Sequence, residues 1–187
     1  MPPKARYTKE EIVDAAYDLV RKNGESYLSA RNLAAALGTS TAPIFTAFSG
    51  IEEVAQAVAE RAKTLYGKYL AEGLSQSPPF KGAGLMYIRF AKDEPMLFRM
   101  LFMRADAEVS HYMPAKDENE PTVRGAVEQS YGMDSEKAKK LYNHLSVYAH
   151  GLASLYAQGQ CFFSDEDVSR MLSEVFIALT AQAKKGQ

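Results

Sequence analysis

The sequence predicts an all-α protein with an N-terminal three-helix helix-turn-helix domain, a C-terminal helical bundle and about nine helices in total. Three observations predict this fold. Apolar residues recur at helical spacing along most of the 187 residues. Capping residues or glycines mark the ends of these segments. No stretch of useful length shows the alternation that is typical of a β-strand.

The first helix is predicted from about Lys9 to Asn23. Thr8 is its expected N-cap, and Glu11, three residues later, completes a capping box. Apolar residues then recur every three or four positions until Gly24, and a glycine at this place is typical of a helix C-terminus.

The second helix is predicted over Ala30–Leu37, a segment of about two turns with one apolar face. Ser29 is its N-cap candidate, and Gly38 ends it. A helix of this length is marginal in isolation, so packing against other helices must stabilise it.

The third helix is predicted over Thr41–Phe48, with Ser40 as its N-cap. Pro43 lies in its first turn, where backbone N–H groups have no partner inside the helix, so proline is tolerated there. The spacing of Ile44 and Phe48 puts both side chains on one side of the helix. We therefore expect both to pack into the core of the three helices.

The rest of the chain shows the same helical signals. A long helix is predicted from Ile51 to about Leu74, and a domain boundary before it divides the chain into residues 1–50 and 51–187. Residues 105–120, with their prolines and acidic cluster, are expected to form a loop. The remaining helices are predicted over 80–92, from Pro95, from Thr122, over 135–157 and after Ser164, which caps the last of them.

The second and third helices carry the clearest functional signal. Two short helices joined by a tight, glycine-containing turn form a helix-turn-helix unit. In such units the second helix enters the DNA major groove, and its first residues face the base edges. Short side chains at the start of this helix let its backbone approach DNA closely. The four consecutive residues at this point are all small: Thr39, Ser40, Thr41 and Ala42.

This segment resembles the N-terminal domain of the TetR family of transcriptional regulators. The resemblance covers residues 8 to about 58 and is carried by "TKEEIVDAAYDLVRKNG", "LSARNLAAALGTS" and "IFTAFSGIEEVAQAV". Farther on, "YIRFAKDEPMLFRMLF" and "YAHGLASLYAQG" are similar to TetR ligand-binding domains with a Trp-His-Gly type motif, of which only His150–Gly151 is present. The resemblance implies a ligand-responsive repressor that binds a palindromic DNA operator as a homodimer.

The expected contacts with double-stranded DNA come from the N-terminal arm, the start of the second helix and the third helix. They are Lys4, Arg6, Ser29, Arg31, Thr39, Ser40, Thr41, Ala42, Phe45 and Thr46.

Three positions depart from the family pattern. The family commonly has Tyr at the position of Phe45, Tyr or His at Ala47, and Lys at Gly50. Each change removes a donor directed at phosphate, and phosphate neutralisation dominates non-specific DNA affinity. We therefore expect weak non-specific binding. The alternative function is a helical small-molecule sensor or interaction protein that has lost DNA binding.

A ligand site is expected among the helices of the C-terminal domain. Residues 90–103 are rich in Phe and Met, which pack adaptably in cores and also line apolar pockets. Given the family resemblance, the candidate wall residues for an unidentified small-molecule effector are Phe90, Phe102, Met103, Tyr148 and Tyr156.

The predicted helix over residues 135–157 is apolar on more than one side. One side can cover its own domain, and the other, with Val147, Gly151 and Ser154, needs a partner. A second copy of the chain would pair this helix and the last one into a four-helix interface. The sequence therefore favours a homodimer.

Several other functions find no support in the sequence. The Glu-x-x-His spacing at Glu108–His111 occurs once, whereas di-metal bundles need two copies. His144 and His150 fall on different helix faces, and Cys161 has no partner for a disulfide. We therefore expect no catalytic residues, metal or cofactor. Because the apolar runs are short and no signal peptide is evident, we also expect a cytoplasmic protein with no membrane association.

Overall fold

The computed structural model describes residues 7–103 and 119–185, and within these ranges it confirms the predicted all-α fold. A short 3₁₀ turn, Glu25–Tyr27, accompanies the α-helices of the described residues. The helices are α1 (Lys9–Asn23), α2 (Ala30–Ala36), α3 (Ala42–Ala47), α4 (Ile51–Leu74), α5 (Pro79–Asp93), α6 (Pro95–Phe102), α7 (Glu120–Tyr131), α8 (Ser135–Ala157) and α9 (Asp165–Lys185). No helix in the described ranges is long and apolar enough to cross a bilayer.

The described residues form two compact units. The first, called the head, comprises residues 7–65 and 94–103, and the second, called the body, comprises residues 66–93 and 119–185. The head thus contains α1 to α3, the first part of α4, and α6. The body contains the end of α4 together with α5 and α7 to α9.

The predicted helix ends are largely confirmed. Thr8 and Glu11 form the capping box of α1, and the hydroxyl oxygen of Ser29 accepts a hydrogen bond from the N–H of Asn32 at 3.2 Å. Asp134 caps α8 and Ser164 accepts from the N–H of Asp167 in the first turn of α9.

Two predicted helix starts are wrong. Helix α3 begins at Ala42, and its N-cap position is Thr41 rather than Ser40, without a side-chain capping bond. The carbonyl of Thr41 instead accepts from the N–H groups of Ile44 and Phe45, which closes a tight first turn. Helix α7 begins at Glu120, before the predicted Thr122, because the proline that follows Glu120 is tolerated in a first turn.

The turn between α2 and α3 depends on a glycine. Gly38 has φ +64°, in the left-handed region that side chains disfavour. Its N–H donates to the carbonyl of Ala35 at 3.1 Å, and the N–H of Thr39 donates to Ala34 at 3.0 Å. This pair of bonds is a Schellman motif, which satisfies the last carbonyls of α2 and turns the chain sharply toward α3.

Helix α6 belongs to the head although it follows α5 in the chain. Its side chains Leu97 and Phe98 are fully buried. The carboxylate of Glu94, just before α6, is also buried and accepts hydrogen bonds from Nε of Arg21, at 2.6 Å, and from Nη2 of the same side chain. This bidentate ion pair fastens the start of α6 to α1.

The body is built on a close crossing of two helices. A Cβ atom on Gly73 in α4 would lie 2.5 Å from the carbonyl oxygen of Gly82 in α5, and a Cβ on Gly82 would clash with the carbonyl of Gly73. Only glycine fits at this crossing. The apolar cluster of the body includes Leu70, Phe80, Ala83, Val123, Val127, Ala138, Leu141, Tyr142 and Leu145.

Candidate functional site

Helix α3 has a buried side and an exposed side. Ile44 and Phe48 are buried, which confirms the prediction that both pack into the core of the head. Phe45 is 52% exposed, and Ala42 and Thr46 are also exposed. The helix therefore presents a small, mostly uncharged surface outward while two apolar anchors fix its position.

The residues predicted to contact DNA are not all equally accessible. Arg31, Ser40, Ala42, Phe45 and Thr46 are exposed, whereas Ser29, Thr39 and Thr41 are half-buried. Lys4 and Arg6 lie outside the described residues. Arg31 and the exposed third-helix residues are thus accessible, and their contact with DNA stays a prediction.

Two of the hydroxyl groups in this segment already have backbone partners. Ser29 acts as the N-cap of α2, and the hydroxyl of Thr46 donates to the carbonyl of Ala42 at 2.9 Å. The oxygen of Thr46 keeps lone pairs for accepting further bonds. Its methyl group remains available for apolar contact.

The charge on this surface is low. Arg31 is the only ionisable residue between positions 29 and 51. It forms no ion pair within the described part of the chain. By contrast, Lys9 contacts Glu53 at 3.3 Å and lies 4.8 Å from the ring centroid of Phe48, and Arg61 is paired with Asp14.

Tyr7 is a residue that the sequence analysis missed. Its hydroxyl donates to the carbonyl of Leu37 at 2.5 Å, across 30 positions of the chain. The last carbonyls of a helix lack partners within it, so the phenol satisfies one of them at the end of α2. No local pattern in the sequence indicates this contact.

The body contains a cavity of about 320 Å³. Residues from α4, α5, α7, α8 and α9 line it, and six of them are aromatic: Tyr66, Phe80, Tyr87, Tyr131, Tyr142 and Phe176. A volume of this size lies at the lower end of the range for small-molecule sites.

The wall residues predicted from sequence are not among those that line this cavity. Phe90 is fully buried against the rings of Tyr66 and Tyr69, and the ring of Phe102 contacts that of Phe98 in the head at a tilted angle. Met103 is exposed and Tyr148 is half-buried. The hydroxyl of Tyr156 donates to the carbonyl of Phe163 at 2.5 Å. Ligand binding by these five residues stays a prediction.

The polar groups of the cavity are mostly hydroxyls. Tyr87 shares a hydrogen bond of 2.8 Å with Nδ1 of His150, whose pKa is lowered because the ring is largely buried. The hydroxyl of Ser173 donates to the carbonyl of Ser169 at 2.9 Å. Lys81 is the one lysine or arginine among the described residues that line the cavity.

Helices α8 and α9 each carry an exposed large apolar residue. Val147 is 60% exposed, and Ile177, which also lines the cavity, is 63% exposed. Gly151, one turn after Val147, is also exposed, and a Cβ added to it would meet no atom within 4 Å.

The described residues contain no group of three or more His, Cys, Asp or Glu side chains that could hold a metal ion. The Glu108–His111 motif lies outside them.

Taken together, the head defines a helix-turn-helix protein with a separate helical body. No family model matches the chain, and no curated protein matches it. A solved structure, a TetR-like transcriptional regulator from Rhodococcus sp. RHA1, is similar with a TM-score of 0.71 and 18% sequence identity. The similarity covers 92% of this chain and 96% of that one. The chain therefore has a TetR-like fold.

Proposed function

We propose that this protein is a transcriptional regulator that binds double-stranded DNA through α3, as a homodimer, and that a small-molecule effector controls it. The observation that carries the proposal is the outward side of α3, where Ala42, Phe45 and Thr46 are exposed above the buried anchors Ile44 and Phe48. The TetR-like fold supports it. A protein with this function works beside the DNA, which we infer is in the cytoplasm.

In this proposal α3 enters the major groove with small side chains leading. Their size permits close approach of the backbone, and Thr46 offers a methyl group and an acceptor oxygen for base edges. Arg31, exposed in the first turn of α2, contacts a phosphate. Because few cations lie near α3, one head supplies little phosphate neutralisation, and specific binding needs two heads on two half-sites.

The exposed apolar residues Val147 and Ile177 support the homodimer. Burying large aliphatic side chains that are this exposed against a second copy is favourable because it removes apolar surface from water. Gly151 has no side chain and so allows a facing helix to approach closely. The cavity of the body supports an effector. An effector that binds one conformation of the dimer more tightly than another changes the affinity for DNA by the same coupling free energy. We propose that it releases a repressor from its operator.

Selection from a randomised DNA pool, followed by fluorescence anisotropy, tests DNA binding. We expect a palindrome to be enriched. Arg31→Ala then weakens binding and reduces the salt slope by about 2 per dimer, since each copy loses one phosphate contact. The matched control is Arg99→Ala, which removes an exposed arginine from α6 and should leave both quantities unchanged. Failure to enrich any palindrome contradicts the proposal.

Sedimentation analysis tests the dimer. Val147→Glu places a charge in the proposed interface and should shift the protein to monomers, whereas Lys68→Glu changes an exposed residue of α4 and should not. Equal behaviour of the two variants would argue against this interface.

A second function is favoured by one observation, the near absence of charge around α3. A sensor or interaction protein that has lost DNA binding would need no phosphate contacts, and Arg31 alone remains between positions 29 and 51. Under that function the randomised pool yields no enriched sequence, while small molecules still bind the body.

A further inference from the structure

The charge balance of the cavity in the body is one-sided. Lys81 lines it from the first turn of α5, and among the described lining residues no aspartate or glutamate accompanies it. Lys81 is half-buried and forms no ion pair or hydrogen bond within the described chain. An anionic group on a ligand would give this ammonium a partner for a charge-assisted hydrogen bond.

Two further donors in the cavity are also unused. The hydroxyls of Tyr131 and Ser146 have no hydrogen-bond partner among the described residues. Burial raises the pKa of Tyr131, so its phenol stays protonated and can donate at neutral pH. The ammonium of Lys81 can only donate, and both hydroxyls can donate as well as accept, so together these groups can bind a ligand with several acceptor oxygens.

The aromatic residues of the cavity wall favour a particular kind of apolar group on the ligand. Six aromatic rings line the cavity, and the ring of Phe176 lies 4.8 Å from that of Tyr131 and 6.1 Å from that of Phe80. Aromatic walls favour flat, apolar molecules through stacked and edge-to-face contacts. The volume of about 320 Å³ limits the ligand to a compact molecule.

We infer that the effector is a compact, largely aromatic molecule with a single carboxylate, which Lys81 binds. This inference rests on the proposed function in treating the ligand as an effector, and it adds the chemical class. Lys81 supplies the charge, the hydroxyls of Tyr131 and Ser146 offer further hydrogen bonds within the same cavity, and the aromatic walls bind the apolar part.

The test compares two probes of nearly equal shape, 1-naphthaleneacetate and its neutral amide, 1-naphthaleneacetamide. Calorimetric titration of the full chain at neutral pH should show tighter binding of the carboxylate. Lys81→Met should weaken binding of the carboxylate by roughly ten- to a hundredfold, the usual worth of a hydrogen bond to a charged group, and leave the amide unchanged. Amide binding also verifies that the variant is folded. Lys139→Met, which removes an exposed lysine of α8, is the matched control and should change neither titration.

Three outcomes overturn the inference: equal affinity of wild type for the two probes, equal loss of both in Lys81→Met, or no binding of either up to its solubility limit. The DNA selection described above is a separate readout. A protein that selects a palindrome but ignores both probes refutes only the ligand class. A protein that prefers the carboxylate through Lys81 but selects no DNA refutes only the regulator function.

Discussion

The head and the body are both helical, but they differ in how completely they are packed. Eight of the ten largest fully buried side chains among the described residues belong to the head, although the body is larger. In the body a cavity remains, and Lys81 lines it unpaired. A closed core suits a part that presents a fixed surface, whereas an open one suits a part that binds a ligand.

Truncating an aromatic side chain in each unit should give the largest difference. Phe98 is fully buried in the head, so Phe98→Ala should lower the free energy of unfolding by about 4 kcal/mol through lost burial and a new void. Phe176 is half-buried beside an existing cavity, so Phe176→Ala should cost about 2 kcal/mol or less. Urea denaturation measures both. Equal losses in the free energy of unfolding would contradict the difference in packing between the head and the body.

The glycine crossing should be the tightest point of the body. Gly82→Ala forces a Cβ against the carbonyl of Gly73, and we expect a loss of about 3 kcal/mol from overpacking. Gly67→Ala is the control on α4, because a Cβ there meets nothing within 4 Å and alanine should stabilise the helix by about 0.5–1 kcal/mol. Thermal unfolding of the two variants should therefore shift in opposite directions.

Removing Arg21 from the head should leave the buried carboxylate of Glu94 without a counter-charge. Arg21→Met leaves the carboxylate of Glu94 buried without its donors, at a cost of about 1–2 kcal/mol, since Arg21 itself is half-exposed. Lys63→Met, which breaks an exposed pair with Glu60, should change stability by less than about 0.5 kcal/mol. If adding Glu94→Gln to Arg21→Met recovers no stability, the buried charge is not the cause.

The smallest effect concerns pH and the body. Burial lowers the pKa of His150, so the unfolded chain binds more protons than the folded one below the usual value of 6.5. Stability is therefore complete above that pH and decreases as the pH falls through it. Unfolding free energies measured at pH 7.5 and about pH 5.5 should differ less in His150→Gln than in the wild type. A larger difference in the variant would show that the histidine is not responsible.

The same contrast explains what the sequence could and could not predict. The two sides of α3 follow from residues that are neighbours in the chain, so the burial of Ile44 and Phe48 was predictable from spacing. Residues from five helices line the cavity. The sequence around an aromatic residue such as Phe90 does not indicate whether its side chain packs in the core or lines a ligand site. Long-range contacts also lack a local signal, as with Tyr7 and Leu37, 30 positions apart, or Arg21 and Glu94, 73 positions apart.

Helix α6 packs in the head although it follows α5 in the sequence, so the head cannot be separated from the body by one cut in the chain. A fragment that ends at Leu65 would lack Leu97 and Phe98, two of the side chains that fill the head, and would leave Arg21 without its carboxylate. If the protein has the proposed function, a swap of N-terminal segments meant to exchange operator specificity would have to include residues 94–103. In the proposed function α3 contacts the DNA, but the head that holds α3 in place also needs residues 94–103, which lie far from α3 in the sequence.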